Sequence, residues 1–401
     1  MTGRRRGRFE RRHLPLADGD APRASSYRAF VPAPVRELRL RLHAKTAAHV
    51  AAADEAVRAL NAGATPSEPA SLDGLGEQLL RAEALASSAI ENLALSHKRL
   101  AHAALQPEID RKATEILTNI DAMEAAIELG RGRAPIRVGD IQAIHATLAR
   151  GTALDPWAGR LREGPGWIHG STPADAKYVP PPAEYLDDLL ADLLAFINQR
   201  SDLPATAHAA VAHAQFEAIH PFADGNGRVG RCLIHAMAMR RGLAPRYLAP
   251  ISVVLTTRRE RYLDGLTLYR RGDIKGWCSF FASATLAAAR KAAWFTSEVG
   301  RLQDDWRTAV SARSDAAVWP LIDALPSHPV IDARTAEALS GRSFQSANTA
   351  LEMLERAGVL VRRDNRMRGR SWEAPALLAL LEDFDAHLSR DEDDFAAEDR
   401  D

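Results

Sequence analysis

Twelve residues, 220–231, carry most of the side chains in this sequence that could do chemistry; they read HPFADGNGRVGR. His220 has an ordinary pKa of about 6.5, which suits it to take a proton from a hydroxyl group near neutral pH. Arg228 and Arg231 are three positions apart and leave one face of a helix, where each guanidinium can hold phosphate oxygens in a fork. Asp224 is the only carboxylate in the segment, and a Mg²⁺ ion carried by phosphates prefers such oxygen ligands. The segment therefore indicates a phosphate site with a base beside it.

Two helices must position this segment. Residues 205–219 before it and 229–241 after it carry alanine and apolar side chains at helical spacing, and Pro221 interrupts the helix. We therefore expect a loop between two helices, with the second helix starting near Gly227. Gly225 and Gly227 allow the backbone to approach a ligand closely, and consecutive N–H groups at a helix start form an anion-binding nest. A structural turn is the alternative, but the joint spacing of the parts favours a nucleotide site.

The segment resembles the Fic (Fido) family signature H-x-F-x-[D/E]-G-N-G-R-x-x-R and agrees with it at every defined position. It differs from the related Doc variant, a kinase in which the Gly-Asn-Gly-Arg portion is replaced. The resemblance extends over roughly residues 30–300. It implies an all-α fold with a helical core and the transfer of AMP from ATP to a protein hydroxyl. The residues taken alone do not choose between AMP transfer and phosphoryl transfer.

The resemblance also implies roles within the segment. His220 would be the general base, Phe222 a buried anchor of the loop, and Asp224 the Mg²⁺ ligand. Asn226 and the loop amides would hold the α-phosphate of ATP, and the two arginines the β- and γ-phosphates. The implied ATP-binding set is Asp224, Gly225, Asn226, Gly227, Arg228, Val229, Gly230, Arg231 and, near the nucleotide base, Tyr262 and Leu263. A core aromatic is the alternative interpretation of Tyr262.

An upstream segment, residues 71–95, is predicted to form an amphipathic helix because its leucines recur at helical spacing. Glu83, Ser87 and Glu91 are spaced by four, which by itself is typical of a solvated face. The six residues from Ser87 onward, SSAIEN, resemble the Fic inhibitory motif [S/T]-x-x-x-E-[G/N]. The resemblance implies that Ser87 and Glu91 belong to a built-in inhibitory helix, and that Glu91 pairs with Arg231 and blocks the seat of the γ-phosphate.

Glycine and proline punctuate residues 159–182 and exclude a long helix there. A short β-hairpin is expected, with Ile168 and Val179 on its arms, and an ordinary surface loop is the alternative. The segment resembles the Fic flap. That resemblance implies that a target protein docks here by backbone pairing, which positions its hydroxyl with little demand on sequence.

Composition excludes several classes of protein. The 401 residues carry 52 basic and 52 acidic side chains, so no global charge attracts nucleic acid or membrane. Uninterrupted apolar runs are much shorter than the roughly 20 residues that a membrane-spanning helix needs. The basic N-terminus lacks the apolar segment of a secretory signal peptide. The two cysteines, Cys232 and Cys278, form no metal-binding pattern, and a reducing cytoplasm fits them.

The chain is predicted to divide into a basic disordered tail (1–28), an N-terminal helical region with the inhibitory helix (29–130), a Fic catalytic core (131–300) and a separate domain (315–388). An acidic tail (389–401) follows. Within 315–388, helices over 333–341 and 344–357 precede an arginine-rich segment. This pattern is typical of a winged helix-turn-helix, which binds DNA or serves as a protein-interaction module. The second helix carries two glutamates, which disfavours strong phosphate contact.

The leading interpretation is a protein adenylyltransferase that uses ATP with Mg²⁺, modifies a Tyr, Thr or Ser hydroxyl of a target protein or of itself, and is autoinhibited. Within the enzyme class, another nucleotide as donor or the removal of AMP remains open. From a different class, a nucleotide-sensing transcriptional regulator would act through residues 315–388. His220 favours catalysis, because nucleotide binding alone needs no base. The sequence leaves the oligomeric state open, a homodimer included.

Overall fold

The computed structural model describes residues 7–13, 26–62, 71–105, 110–363 and 370–387, where the chain is mostly helical. The helices before residue 220 are α1 (Ala44–Ala62), α2 (Ser71–Ile90), α3 (His97–Leu105), α4 (Arg111–Arg131), α5 (Val138–Ala149), α6 (Leu186–Asn198) and α7 (Ala205–Ile219). Those after it are α8 (Asn226–Arg240), α9 (Ile251–Thr257), α10 (Arg259–Arg270), α11 (Ile274–Ala309), α12 (Val318–Ala324), α13 (Ala333–Ser340), α14 (Phe344–Arg356) and α15 (Pro375–His387). The strands are β1 (Arg8–His13), β2 (Ser26–Val31), β3 (Val330–Asp332), β4 (Val361–Arg362) and β5 (Ser371–Glu373).

The described residues form two compact units, each assembled from separate stretches of the sequence. The first lies within Met1–Glu55, Asp121–Pro245 and Arg258–Ala284, and the second within Ala56–Ile120, Arg246–Thr257 and Thr285–Asp401. Both units are discontinuous, whereas the sequence predicts contiguous segments. The stretch predicted as a separate C-terminal domain shares its unit with α2 and α3.

In the first unit, α7 and α8 are the buried pair of helices that holds the loop at residues 220–225. Every residue of α7 is buried, and its first turn is capped by the Asp54 carboxylate, which accepts from the N–H groups of Ala205 (3.2 Å) and Thr206 (3.0 Å). A Cβ at Gly230 of α8 would collide with the Glu217 carboxylate of α7. Glycine at this position therefore lets the two helices approach closely.

The predicted disordered tail is wrong for part of its length. Strands β1 and β2 pair antiparallel, with Arg8 opposite Val31 and His13 opposite Ser26. The rings of Phe9 and Phe30 pack edge to face with centroids 5.3 Å apart. This apolar pairing offsets the solvation that favours disorder in a basic segment. Residues 1–6 and 14–25 of the predicted tail lie outside the described residues, as does the predicted acidic tail.

In the second unit, α2 is fixed by buried polar side chains. The Glu83 carboxylate accepts from the N–H (2.7 Å) and the hydroxyl (2.5 Å) of Ser252 at the start of α9, where the helix dipole favours negative charge. Asn119 donates to the Ala84 carbonyl (3.1 Å) and the Ser88 hydroxyl (3.2 Å). Glu83 and Ser87 are fully buried, so the solvated face that their spacing suggests is wrong at both positions.

The C-terminal part of this unit has the two helices predicted from the sequence. Asp332 caps α13 by accepting from the Thr335 N–H (2.8 Å), and Gly341 ends it at a φ of 60°. Ser343 caps α14, and Gly358 follows it at a φ of 74°. The three strands form an antiparallel sheet in the order β3-β5-β4. Residues 364–369, within the predicted arginine-rich segment, are outside the described part of the chain.

In the described part of the chain, none of the helices has the length and apolar character needed to cross a membrane. Cys232 and Cys278 are both buried, and neither forms a disulfide. Burial raises the pKa of the Cys278 thiol to about 12.

Candidate nucleotide site

His220 lies where the chain leaves α7. Its N–H still donates to the Phe216 carbonyl (2.8 Å), but its backbone is left-handed, with φ 51° and ψ 61°. A residue with a side chain adopts this conformation at a cost of about 1–2 kcal/mol, so surrounding contacts must hold it. The turn ends α7 and directs the chain into the loop.

A buried carboxylate lies one helical turn before His220. Oε2 of Glu217 is 3.9 Å from Nδ1 of His220, and the Glu217 side chain is 8% exposed. Nδ1 is itself buried, whereas the imidazole as a whole is 17% exposed. The ring nitrogen available to a substrate is therefore Nε2.

The Asn226 side chain clamps the loop rather than facing outward. Its Oδ1 accepts from the Phe222 N–H and its Nδ2 donates to the Phe222 carbonyl, both at 2.8 Å. Asn226 is 1% exposed and Phe222 is fully buried. The loop uses Oδ1 and one N–H of Nδ2, so the donation of this side chain to an α-phosphate stays a prediction that involves the second N–H of Nδ2.

Asp224 lies on the exposed rim of the loop, where its Oδ1 accepts from the Gly225 N–H (2.5 Å). His145 supports this rim from α5. Its Nδ1 accepts from the Gly159 N–H (2.9 Å), which leaves the proton on Nε2 to donate to the Asp224 carbonyl (3.1 Å). The His145 ring stacks on Phe222 with centroids 4.0 Å apart. Burial lowers the pKa of His145 and so favours this neutral form.

The start of α8 supplies an anion-binding geometry. Gly225 precedes the helix at a φ of 77°, and the first intrahelical bond runs from the Val229 N–H to the Gly225 carbonyl (3.1 Å). The N–H groups of Asn226, Gly227 and Arg228 precede that bond, as in other helix starts that bind phosphate. The Val229 N–H is used within the helix.

The two predicted phosphate-binding arginines lie in the first two turns of α8. Arg228 is 3% exposed and Arg231 is 1% exposed. The side chain of Val229 is fully buried, and the side of Gly230 that lacks a Cβ faces α7. Val229 and Gly230 thus contribute to packing, and their place in the nucleotide site stays a prediction. A phosphate can reach Arg231 only if a neighbour that covers it moves.

The flap, residues 159–182, forms a shorter hairpin than expected. Ile168 pairs antiparallel with Tyr178, with the Ile168 N–H donating to the Tyr178 carbonyl (2.8 Å). The partner on the second arm is thus Tyr178, not Val179. The carbonyl of Val179 instead accepts from the Phe30 N–H of β2 (2.9 Å).

Arg162, at the start of the flap, is a residue that the sequence interpretation missed. Its guanidinium donates to the carbonyls of His220 (Nε, 2.8 Å), Gly164 (Nη1, 3.0 Å) and Pro181 (Nη2, 2.5 Å). Its side chain is buried among them, with Arg162 7% exposed. No spacing rule predicts this, because the carbonyls come from distant parts of the chain.

Tyr262, which is predicted to lie near a nucleotide base, is a buried residue of α10. Tyr262 is 2% exposed, and its hydroxyl hydrogen-bonds Nε2 of His213 (2.9 Å). Its ring packs beside His213 and Trp277 in the core of the first unit. Leu263 is half-buried on α10. This burial agrees with the core interpretation of Tyr262, and its contact with a nucleotide base stays a prediction.

Glu91 follows the last residue of α2 instead of lying within the helix. The Asn92 N–H donates to the Ala89 carbonyl and the Leu93 N–H to the Ser88 carbonyl, both at 3.0 Å. These two bonds form a Schellman cap, and Asn92 has the left-handed φ of 66° that this cap requires. Glycine and asparagine are the residues that best adopt this conformation, which explains the [G/N] position of the motif. The Glu91 side chain is exposed and Ser87 is fully buried.

The His220 loop and the flap lie in a segment of the chain that is similar to a known family. Residues 135–238 match the Fic/DOC family, and residues 48–128 match the Fic/DOC family N-terminal region. The chain is thus similar to Fic/DOC proteins over these two segments.

Relatives named as protein adenylyltransferases match about two fifths of the chain. Protein adenylyltransferase Fic of Aedes aegypti is 32% identical over 167 residues, 41% of this chain and 30% of the relative. Protein adenylyltransferase fic-1 of Caenorhabditis briggsae is 28% identical over 158 residues, 39% of this chain and 28% of the relative. The chain thus matches less than a third of the length of these relatives.

A solved structure matches over more of the chain. The crystal structure of a Fic family protein from Desulfovibrio desulfuricans G20 covers 84% of this chain and 97% of its own, with a TM-score of 0.52 and 21% identity. At this identity the match shows the fold alone.

Proposed function

We propose that this protein is an adenylyltransferase that moves AMP from ATP to a hydroxyl group of a target protein or of itself. The observation that carries the proposal is the position of His220, held at the end of α7 next to the anion-binding start of α8. A base and a phosphate site at one loop are what nucleotide transfer to a hydroxyl needs. The names of the relatives support the same activity.

In this mechanism, Nε2 of His220 takes the proton of the target hydroxyl. The hydroxyl oxygen bonds to the α-phosphorus of ATP, and the bond from that phosphorus to the β-phosphate bridging oxygen breaks, releasing pyrophosphate. The N–H groups at the start of α8 stabilise the charge on the α-phosphate. Arg228 and Arg231 hold the β- and γ-phosphates after a neighbour of Arg231 has moved.

Asp224 is the residue that would hold Mg²⁺. Its carboxylate is on the exposed rim of the loop, and among the described residues no three or more His, Cys, Asp or Glu side chains group into a metal site. A single protein carboxylate fits Mg²⁺, which binds mainly through nucleotide phosphates and water. When bound, the ion would neutralise phosphate charge as pyrophosphate leaves.

We also propose that Glu91 inhibits the enzyme by pairing with Arg231 in place of the γ-phosphate. A carboxylate and a phosphate compete for the same guanidinium fork. The motif from Ser87 to Asn92 and the capped turn that ends α2 at Glu91 support this proposal. The flap would dock the target by backbone pairing along its exposed hairpin, which accommodates many sequences.

A regulator that binds DNA through residues 315–388, arranged as a winged helix, is the second candidate, and the described residues disfavour it. Arg362 of the proposed wing pairs with Glu355 (2.9 Å), which also accepts from the Trp372 indole (2.9 Å). Arg363 lies 3.7 Å from the Glu373 carboxylate. Cations already paired with carboxylates contribute little to phosphate binding. Within the proposal, this segment serves protein interaction, the protein acts in the cytoplasm, and a homodimer is compatible with it.

The donor chemistry is tested with ATP labelled at either the α- or the γ-phosphate. Wild type, Glu91→Gly and His220→Ala are incubated in a cell lysate with each label, and His13→Ala, an exposed histidine of β1, is the matched control. The proposal predicts α-label on protein that depends on His220 and not on His13. Transfer of γ-label alone would instead indicate a kinase, and specific DNA binding without any transfer would favour the regulator.

Inhibition by Glu91 is tested on the same α-label assay. Glu91→Gly and Glu91→Gln should each raise transfer at least severalfold over wild type, because either removes the competing charge. Glu77→Gln changes an exposed glutamate of the same helix and should leave the rate as it is. Equal rates for wild type and both Glu91 variants, at matched ATP and Mg²⁺, would refute the inhibitory role.

A further inference from the structure

The C-terminal end of α7 is capped by the flap. The last carbonyls of a helix have no partner within it and must be satisfied from outside. Here the Tyr178 hydroxyl donates to the Ala218 carbonyl (2.6 Å), and the Arg162 N–H donates to the Pro221 carbonyl (2.9 Å). The Arg162 guanidinium donates to the two carbonyls that lie between these in the sequence, those of Ile219 (3.4 Å) and His220 (2.8 Å). Four successive carbonyls of the chain segment that carries the base therefore depend on two flap residues.

The same guanidinium ties the two arms of the flap together. Nη1 binds the Gly164 carbonyl on the first arm, and Nη2 binds the Pro181 carbonyl on the second. Arg162 also lies at the negative end of the α7 dipole, where a cation is stabilised. Burial lowers its pKa to about 10, so it remains a cation at neutral pH.

The backbone of His220 needs such support. Its left-handed conformation is unfavourable for a residue with a Cβ and persists only where neighbouring bonds determine it. The hydrogen bonds from Arg162 to His220 and Pro221 fix the two peptide groups that follow the strained position. An antiparallel bridge between Leu161 and Phe222 continues the same contact.

We propose that Arg162 is a positioning residue that couples the flap to the base, so that a hydroxyl docked on the flap meets His220 at a fixed distance. The inference rests on the proposed function, because it assumes that the flap holds the target. Misplacing a reacting group by about 1 Å can lower a rate roughly 100-fold without affecting binding. Arg162 thus acts on the alignment of His220 rather than on the nucleotide.

Lysine at position 162 keeps the charge but cannot reach carbonyls on both arms and on α7 at once. Three variants are compared in the Glu91→Gly background: Arg162→Lys, Tyr178→Phe, which removes one bond of the same cap, and Arg150→Lys, an exposed arginine after α5, as control. Three quantities are measured. They are α-label transfer at saturating ATP, ATP affinity by calorimetry, and amide hydrogen exchange in residues 161–182 and 216–222.

The coupling predicts that Arg162→Lys lowers the transfer rate roughly 10- to 100-fold at unchanged ATP affinity. It also predicts faster amide exchange in both segments, a smaller change of the same kind in Tyr178→Phe, and no change in Arg150→Lys. Faster exchange in one segment only, or a rate loss explained by weaker ATP binding, would overturn it. If Arg162→Lys does not fold, Tyr178→Phe decides the matter. If the Glu91→Gly protein itself transfers no label, the proposed function has failed. The amide exchange data alone then decide whether Arg162 couples the two segments.

Discussion

The side-chain amide of Asn226 binds both backbone groups of Phe222, with its oxygen and its nitrogen each 2.8 Å from their partner. The two residues are four apart, and this pair of bonds closes the loop between them. Within the closed loop, Asp224 lies on the exposed rim, and α8 begins two residues later at Asn226. The two bonds of Asn226 fix the shape of this loop.

Replacing Asn226 should destabilise the protein. In Asn226→Ala the buried N–H and carbonyl of Phe222 lose their partners, at a cost of about 1–3 kcal/mol for each group. Asn226→Asp keeps an acceptor for the N–H but sets a carboxylate oxygen against the Phe222 carbonyl, so it should not restore stability. The free energy of unfolding in urea measures both variants. If Asn226→Ala is as stable as wild type, the clamp does not hold the loop.

The close approach of α7 and α8 at Gly230 gives a second prediction. Gly230→Ala should lower the free energy of unfolding by about 1–3 kcal/mol, because the added methyl group displaces the buried Glu217 carboxylate and crowds Phe216 and His213. Gly139→Ala is the matched control on α5, since a Cβ there meets no atom within 4 Å. Thermal and urea unfolding would compare the pair. Similar stabilities for the two variants would contradict this packing role.

Acid should destabilise the protein through His208. Burial lowers its pKa to about 4, and its ring donates from Nε2 to the Phe196 carbonyl (2.9 Å). The unfolded chain binds a proton near pH 6.5 while the folded chain does not. The contribution of His208 is therefore complete above about pH 6.5 and is lost at about 1.4 kcal/mol per pH unit as the pH falls toward 4. Urea unfolding across that range should show a weaker pH dependence for His208→Gln than for wild type, and identical slopes would argue against it.

Tyr262 should matter for stability and not for the nucleotide. Tyr262→Phe removes the bond to His213 inside the aromatic core and should cost about 1 kcal/mol of unfolding free energy. Its ATP affinity, measured by calorimetry, should equal that of wild type. A selective loss of ATP affinity in a stable variant would return this tyrosine to the nucleotide site.

Local signals predicted the elements around the site correctly. Alanine-rich helical spacing and Pro221 placed the loop between α7 and α8. Asp332 and Gly341 at the two ends of α13 gave its limits, because caps act within one turn. The left-handed backbone at Asn92 also has a local signal in the sequence, because the last position of the motif takes only glycine or asparagine.

Long-range contacts account for the errors. The bonds of Asn226 to the backbone of Phe222, which the sequence interpretation missed, depend on how the loop closes, and spacing does not encode that. Glu83 is buried because the start of α9 packs over it, although its spacing resembles an exposed face. The role of Arg162 depends on carbonyls up to 58 positions away. Such contacts between distant segments follow from the tertiary fold and leave no periodic pattern in the sequence.

The most direct test of the central claim compares Glu91→Gly with the double variant Glu91→Gly/His220→Ala. Each is incubated with α-labelled ATP and Mg²⁺ in a cell lysate, and labelled proteins, the variant itself included, are identified by mass spectrometry. The account predicts AMP linked to a Tyr, Thr or Ser hydroxyl with Glu91→Gly and a loss of that label with the double variant. Equal labelling by the two proteins, or no AMP-linked protein with either, would contradict it.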